Sequence, residues 1–273
     1  MTPKAFIKLL APPLLAQGYR FLCGRRHGVY GLSGDYRSWE EAMGASTGYD
    51  SEIILEKTKT ALLQVKNGQV VYERDSVVFD EIQYAWPLLA GLMWVAAQSG
   101  GRLDVLDFGG SLGSTYFQNR AFLHSLTHAR WNIVEQPQHV ETGKEWFEDE
   151  HLKFYLRVED CVAETQPNVV LLSSVLQYLE HPYDILCELL ELTCAHVIID
   201  RTSFWNGPVD RLCVQHVPPW IYPASYPSWI FSMSRFQSHL HAGWEVVAEF
   251  DCLDKLKGPV DFAYSGMIIK RLV

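Results

Sequence analysis

The sequence predicts an α/β fold organised as a doubly wound, mostly parallel sheet, and three observations predict it. Short apolar runs alternate with helix-like segments through residues 86–200. One run, Val105-Leu106-Asp107-Phe108, ends beside an acid and breaks into Gly109-Gly110-Ser111-Leu112-Gly113 before the next helix. Polar groups then recur where runs end, at Asp107, Glu135, Asp160 and Asp200. Strands separated by helices pair in parallel through right-handed crossovers, and such sheets bind ligands at the carboxyl ends of their strands. The glycine turn stands at such an end.

The elements follow in order. Residues 4–22 are apolar and basic but broken by Pro12 and Pro13, too short and interrupted to span a bilayer. Arg20, Arg25 and Arg26 follow where a secretory signal would need a cleavage site, so no signal peptide is expected. Residues 4–26 are expected to pack on the domain or a partner subunit, or to lie on an anionic inner-membrane surface. Tyr30–Tyr36 reads as a turn-rich loop. Ser38 stands three residues before Glu41, the spacing of a capping box, and predicts a helix start. Ile54, Leu55, Thr58, Leu62 and Val65 recur at helical spacing over 51–64, and Asn67-Gly68 turns the chain into Val70-Val71-Tyr72. Residues 1–78 thus form an arm and a small helical appendage, and 79–273 the main domain.

Trp86-Pro87 opens an apolar helix that Gly100-Gly101 ends. Strand runs follow at 103–108, 131–135, 154–158, 168–173 and 196–200, the fourth continuously apolar as a buried parallel strand should be. Helices are expected from the glycine turn to about residue 126, and over 184–192. Residues 201–232 form an aromatic insert with Trp205, Trp220, Tyr222, Tyr226 and Trp229.

A hydrophobic content of 48% supplies a core, and a formal net charge of −9 argues against a nucleic-acid partner. Six cysteines are scattered without a C-x-x-C pair, which reads as reduced thiols in a cytoplasmic protein. His124 and His128 are four apart on an expected helix, but no third ligand accompanies them, and no metal site is expected.

The chemistry of the turn narrows its ligand. Glycines let a bound molecule approach the backbone, and an acid 26 residues after Gly109 suits ribose hydroxyls. The spacing G-x-G-x-x-G that seats a pyrophosphate is missing, and Asp107 would repel phosphate while favouring a cationic amine or sulfonium.

From Asp107-Phe108-Gly109-Gly110-Ser111-Leu112-Gly113 through Glu135 and Asp160 to Val170–Leu179, the chain resembles a class I S-adenosylmethionine-dependent methyltransferase. Ser111 stands where that family carries its middle glycine. Tyr30-Gly31 to Ala42, the glycine turn, and Gln215–Pro218 to Ser225–Ser232 resemble more narrowly a bacterial methyltransferase family associated with surface-polysaccharide gene sets. The resemblance implies a Rossmann-like sheet of seven strands with an antiparallel last strand, supplied by 244–250 and 262–270. It implies that Asp107, Gly109, Gly110, Ser111 and Gly113 cradle the methionine and ribose of S-adenosylmethionine. Glu135 would take the ribose hydroxyls, Asp160 the adenine amine, and Ser173 and Ser174 the floor near the sulfonium.

Methyl transfer from a sulfonium is an in-line displacement, so the protein mainly aligns its reactants. A sugar hydroxyl holds its proton tightly and calls for a base, for which His216, Asp200 and His181 are the candidates. Tyr178, Tyr222, Tyr226 and Trp229 would contact the acceptor, a small molecule or glycan precursor. Two other readings stay open: a catalytically inactive binding or scaffold protein, kept by Ser111, and a nicotinamide-dependent sugar oxidoreductase, disfavoured by the glycine spacing.

Overall fold

The computed structural model describes residues 30–48, 51–218, 221–240 and 243–272. The arm at 4–26 and Trp220 lie outside the described residues. In chain order the first elements are β1 (Gly31–Tyr36), α1 (Trp39–Gly44), α2 (Ser51–Lys66), β2 (Tyr72–Arg74), β3 (Val77–Phe79) and α3 (Trp86–Gln98). The central run is β4 (Arg102–Phe108), α4 (Ser114–Leu123), β5 (His128–Val134), α5 (Pro137–Trp146), β6 (Leu152–Tyr155), α6 (Val158–Glu164) and β7 (Val169–Ser173). A 3₁₀ turn, Leu176–Tyr178, leads to α7 (Pro182–Glu191) and β8 (His196–Trp205). The chain closes with β9 (Arg211–His216), β10 (Ser225–Ser232), α8 (Met233–Ser238), β11 (Trp244–Asp251) and β12 (Ala263–Arg271).

Seven of these strands form the expected sheet. Its order is β6-β5-β4-β7-β8-β12-β11, with β4 to β8 parallel to their neighbours and β12 antiparallel between β8 and β11. The open dinucleotide-binding order runs 3-2-1-4-5-6; here an antiparallel strand is slotted in before the sixth. Strand alternation sends neighbouring residues into different cores. Val105, Val169, Leu171 and Ile198 pack with α2, α3, α4 and α5 on one face. Leu106, Val170, Leu172, Val197 and Ile199 pack with α6, α7 and α8 on the other. Both faces are therefore apolar along the same strand, which is why these runs lack alternation in sequence. Leu92 of α3 is fully buried, and truncating such a residue to Ala costs about 2–5 kcal/mol.

Four expectations are corrected. Tyr30–Tyr36 is not a loop: β1 pairs antiparallel with β9, joining residues near position 33 to residues near 214. The 201–232 insert is largely strand, because β8 runs on to Trp205 and β9 and β10 pair antiparallel, so β1, β9 and β10 extend the sheet to ten strands. The third central strand is Leu152–Tyr155, and Val158–Glu164 is helix, with Asp160 in its first turn rather than at a strand end. His124 and His128 do not share a helix, since α4 stops at Leu123 and His128 begins β5.

The segment before residue 79 shares the main core. Leu55, Leu62 and Val65 of α2 are buried with Leu92, Val95 and Tyr116. Ser38 caps α1 by accepting the Glu41 N–H at 3.2 Å, while Glu41 accepts the N–H of Arg37 at 2.8 Å. Cys161, Cys187, Cys194, Cys213 and Cys252 are free thiols. Among the described residues, no helix is long and apolar enough to cross a membrane.

Candidate functional site

The carboxyl ends of β4, β5 and β7, with the middle of β8 beside β7, gather Asp107, Glu135, Asp200 and the glycine turn. The Gly109 N–H donates to the Val134 carbonyl at 2.9 Å, pinning the turn to the end of β5. Asp107 is wholly buried beneath the turn, where its Oδ2 accepts the indole N–H of Trp131 at 2.8 Å. A Cβ on Gly110 would lie 2.4 Å from that same Oδ2, so only glycine lets the backbone fold over the carboxylate. Burial pushes the Asp107 carboxyl up to about 7, against the Trp131 hydrogen bond and with Glu135 and Asp200 adding to the rise. Asp107 thus organises the turn from below.

Ser111, the departure from a middle glycine, takes the conformation a glycine would, with φ of 52°. The turn therefore keeps its path. Glu135 reaches across to it: Oε1 accepts the Ser111 N–H at 3.2 Å and Oε2 accepts the Gln136 N–H at 2.7 Å. Each oxygen keeps a second lone pair for a ligand hydroxyl. Gly113 closes the turn as the left-handed residue before α4. Asp160 is exposed on α6 and bonded to Arg157 at 2.6 and 3.0 Å, a hydrogen-bonded pairing that holds its carboxyl below the usual range.

Across the β7 end, Ser173 Oγ donates to Asp200 Oδ2 at 2.8 Å and Cys252 Sγ donates to Oδ1 at 3.4 Å. Burial raises the Asp200 carboxyl above its ordinary value despite Arg201, Ser173 and Cys252. A β-bulge explains how Asp200 and Arg201 are aimed. Between the pairs Ile199–Met267 and Thr202–Ser265, two residues of β8, Asp200 and Arg201, face one of β12, Gly266, and Arg201 has φ of 50°. Arg201 does not pair with Asp200 as an internal ion pair. It bonds Asp254 at 3.1 Å and Asp75 at 2.8 Å, and Arg74 also pairs with Asp254.

Gln177, in the 3₁₀ turn, is wholly buried. Its Nε2 donates to the Arg201 carbonyl at 3.0 Å and to Ser174 Oγ at 3.3 Å. A carbonyl partner demands an N–H, which fixes the amide, and Oε1 is left without a partner. Beside it, Tyr178 donates to Gln215 Oε1 at 3.0 Å, Gln215 Nε2 lies 3.5 Å from Tyr226 Oη, and the Tyr178 and Tyr226 rings meet edge to face at 5.4 Å. The result is an uncharged wall of hydroxyls and amides. Burial pushes the Tyr178 phenol up to about 12, so it stays a neutral donor.

Tyr222 borders this wall through Tyr226, and the other predicted residues make different contacts. Strand alternation puts His216 on the face of β9 opposite Gln215, where its Nε2 lies 3.0 Å from Ser33 Oγ. His181 is the exposed residue preceding α7 and lies 3.9 Å from Glu180. Trp229 donates to the Leu179 carbonyl at 3.0 Å and stacks on Trp39. Tyr222 packs with Ile54, Val217 and Ala224 under Lys57. A cavity of about 290 Å³ lined by His124, His128, Arg130 and His151 lies at the amino end of β5, the opposite end from Glu135.

Sequence reading missed Glu73. This β2 carboxylate is 2% exposed, accepts the Ser76 N–H at 2.7 Å and the hydroxyl of Ser114 at the start of α4. Burial lifts it to about 7, with the Ser114 and Ser76 hydrogen bonds opposing. The signal lay in Tyr72-Glu73-Arg74-Asp75-Ser76, a charged hairpin tip between apolar flanks. Glu73, Asp107, Glu135 and Asp200 make the turn's surroundings acidic. That set suits hydroxyls and cations and repels a pyrophosphate, which fits the amino and sulfonium groups of S-adenosylmethionine and not a dinucleotide.

No protein-family model matches the chain, and no curated protein matches it. Its fold is similar to those of several solved structures. One is the N-terminal domain of EvdMO1 in the presence of SAH and D-fucose, at 13% identity, covering 82% of this chain and 98% of that chain with a TM-score of 0.46. Another is magnesium protoporphyrin IX methyltransferase from Synechocystis with bound SAM, at 14% identity over 82% and 99% of the two chains, TM-score 0.44. A third is an S-adenosylmethionine-dependent methyltransferase from Clostridium acetobutylicum, at 9% identity over 79% and 98%, TM-score 0.44. The fold assignment rests on the strand order itself.

Proposed function

We propose that the protein is an S-adenosylmethionine-dependent methyltransferase acting on a hydroxyl or amine of a small acceptor, a saccharide or glycan precursor. The observation that carries this reading is the acidic glycine turn, braced by Asp107 and Glu135 at the carboxyl edge of a sheet with an antiparallel strand before its last. When bound, S-adenosylmethionine supplies a methyl group on a sulfonium centre. Gly109, Gly110, Ser111 and Gly113 hold its amino-acid end, Glu135 orients the ribose, and the start of α6, with Asp160, borders the adenine.

The acceptor side is supported by the hydrogen-bond inventory. Gln177 Oε1 is a buried acceptor that lacks a donor, and an acceptor O–H or N–H would satisfy it. Tyr178, Gln215 and Tyr226 present neutral donors and acceptors suited to a polyhydroxyl molecule. Of the three candidate bases, Asp200 shares the carboxyl edge with Ser173, Ser174 and Gln177. Ser173 Oγ takes the acceptor proton and passes its own to Asp200 Oδ2, whose raised proton affinity favours that transfer. His216 and His181 contribute structure in this scheme.

Calorimetry with S-adenosylmethionine and S-adenosylhomocysteine tests the donor half; binding of neither overturns the enzyme reading. Transfer of a labelled methyl group to a panel of monosaccharides and methyl glycosides tests the acceptor half. Gln177→Leu is expected to leave donor affinity unchanged while lowering transfer.

A further inference from the structure

The β2–β3 hairpin spans the two halves of the site. Glu73, in β2 opposite Val78, touches α4 through Ser114, and Asp75 and Arg74 touch the bulge side through Arg201 and Asp254. The donor reading above leaves one group of S-adenosylmethionine without a counter-charge. Its amino-acid end carries a carboxylate, for which the start of α4 is suited, and an ammonium. Asp107 lies under the turn with its Oδ2 on Trp131, and Glu135 stands at the β5 end, where the ribose belongs.

Glu73 stands at the α4 start. Its two oxygens each accept one hydrogen bond, leaving a lone pair on each. We infer that Glu73 binds the amino group of the donor's amino-acid end, an inference that rests on the donor reading. A buried carboxylate whose two hydrogen-bond donors are both neutral has no direct ion-pair contact, and an ammonium supplies one.

The groups facing Glu73 are few. From its own hairpin comes Asp75 and from β8 Arg201, with opposing effects. α4 offers the Ser114 hydroxyl and has no charged residue in its first turn. α2 offers Thr58, bonded to Ser76 at 2.8 Å.

5′-Methylthioadenosine retains the adenosine and lacks the amino-acid end, so it separates a ligand contact from a structural strut. In calorimetry, Glu73→Gln is expected to weaken S-adenosylmethionine and S-adenosylhomocysteine roughly 10-fold or more, leaving 5′-methylthioadenosine unchanged. Equal weakening of all three, or no change in any, overturns the inference. Should the variant fail to fold, the wild-type protein decides. S-adenosylhomocysteine affinity is expected to fall from pH 7.5 to 5.5, as Glu73 takes up its proton from about 7 downward, relative to 5′-methylthioadenosine. Parallel pH profiles overturn the inference. Binding of none of the three ligands to the wild-type protein overturns the donor reading itself, an outcome distinct from either.

Discussion

Glu135 and Ser111, 24 residues apart in sequence, are joined by a hydrogen bond of 3.2 Å from the serine backbone N–H to the carboxylate. That bond couples the end of β5 to the one position in the glycine turn that is not glycine where the resembled family has one. It makes the carboxylate a brace for the turn and, in the proposed donor site, a group for the ribose hydroxyls.

Glu135→Ala removes both roles. S-adenosylmethionine binding is expected to weaken by about 1–3 kcal/mol, the range for lost hydrogen bonds to a charged group and for a backbone donor left unpaired. Calorimetry measures this directly, and unchanged affinity would remove Glu135 from the site.

Ser111 holds a left-handed conformation, φ 52°, that costs an L-residue about 1–2 kcal/mol. Ser111→Gly relieves that strain but adds freedom to the unfolded chain, so the expected net gain is under about 1 kcal/mol. Ser111→Val is expected to destabilise, because a β-branched residue tolerates this region least. Urea unfolding of the two variants against wild type checks the signs.

Asp107 gives a pH signature. Its carboxyl is raised to about 7 by burial, so between about pH 4 and 7 the folded state binds more protons than the unfolded state. The stability this contributes falls as pH rises through that window. Asp107→Asn cannot ionise, so its stability relative to wild type is expected to improve from pH 4 to pH 7, by up to about 4 kcal/mol, then level off. A relative stability that is flat with pH would show that Asp107 ionises freely in the folded protein. Thermal melts of the pair at several pH values read this difference.

Arg201 separates strong from weak ion pairs. Arg201 and Asp254 are mostly buried, at 20% and 19% side-chain exposure, whereas Asp75 is 59% exposed. Arg201→Met leaves Asp254 with only Arg74 and is expected to cost about 3 kcal/mol or more. Asp75→Asn removes a solvated partner and is expected to cost under about 1 kcal/mol. Denaturant titrations that gave equal losses would refute this ranking.

The meeting of the glycine turn with Glu135 was legible because it is local. The turn 107–113 is one contiguous stretch, and the acid at Glu135 follows it at the distance one strand–helix–strand unit spans. The wall of Gln177, Tyr178, Gln215 and Tyr226 was not, because its parts come from far apart. Tyr178 meets Gln215 across 37 residues, and Gln177 meets the Arg201 carbonyl across 24. Asp160 was misplaced because its run continues the apolar pattern of β6 past Tyr155 into α6, with no glycine or proline to mark the change.

The sequence by itself determined the alternating apolar runs, and hence a sheet buried on both faces, together with the glycines and acids at its carboxyl edge. Period and turn chemistry act over a few residues, so they are written in order along the chain. Only the tertiary structure decided three things. It converted the 31–36 and 211–232 segments into a sheet extension, bulged β8 at Asp200-Arg201 so that the two charges diverge, and brought the β2 carboxylate of Glu73 to the start of α4. Each depends on pairing between segments remote in sequence, where the free energy lies in register, burial and hydrogen-bond satisfaction rather than in local pattern.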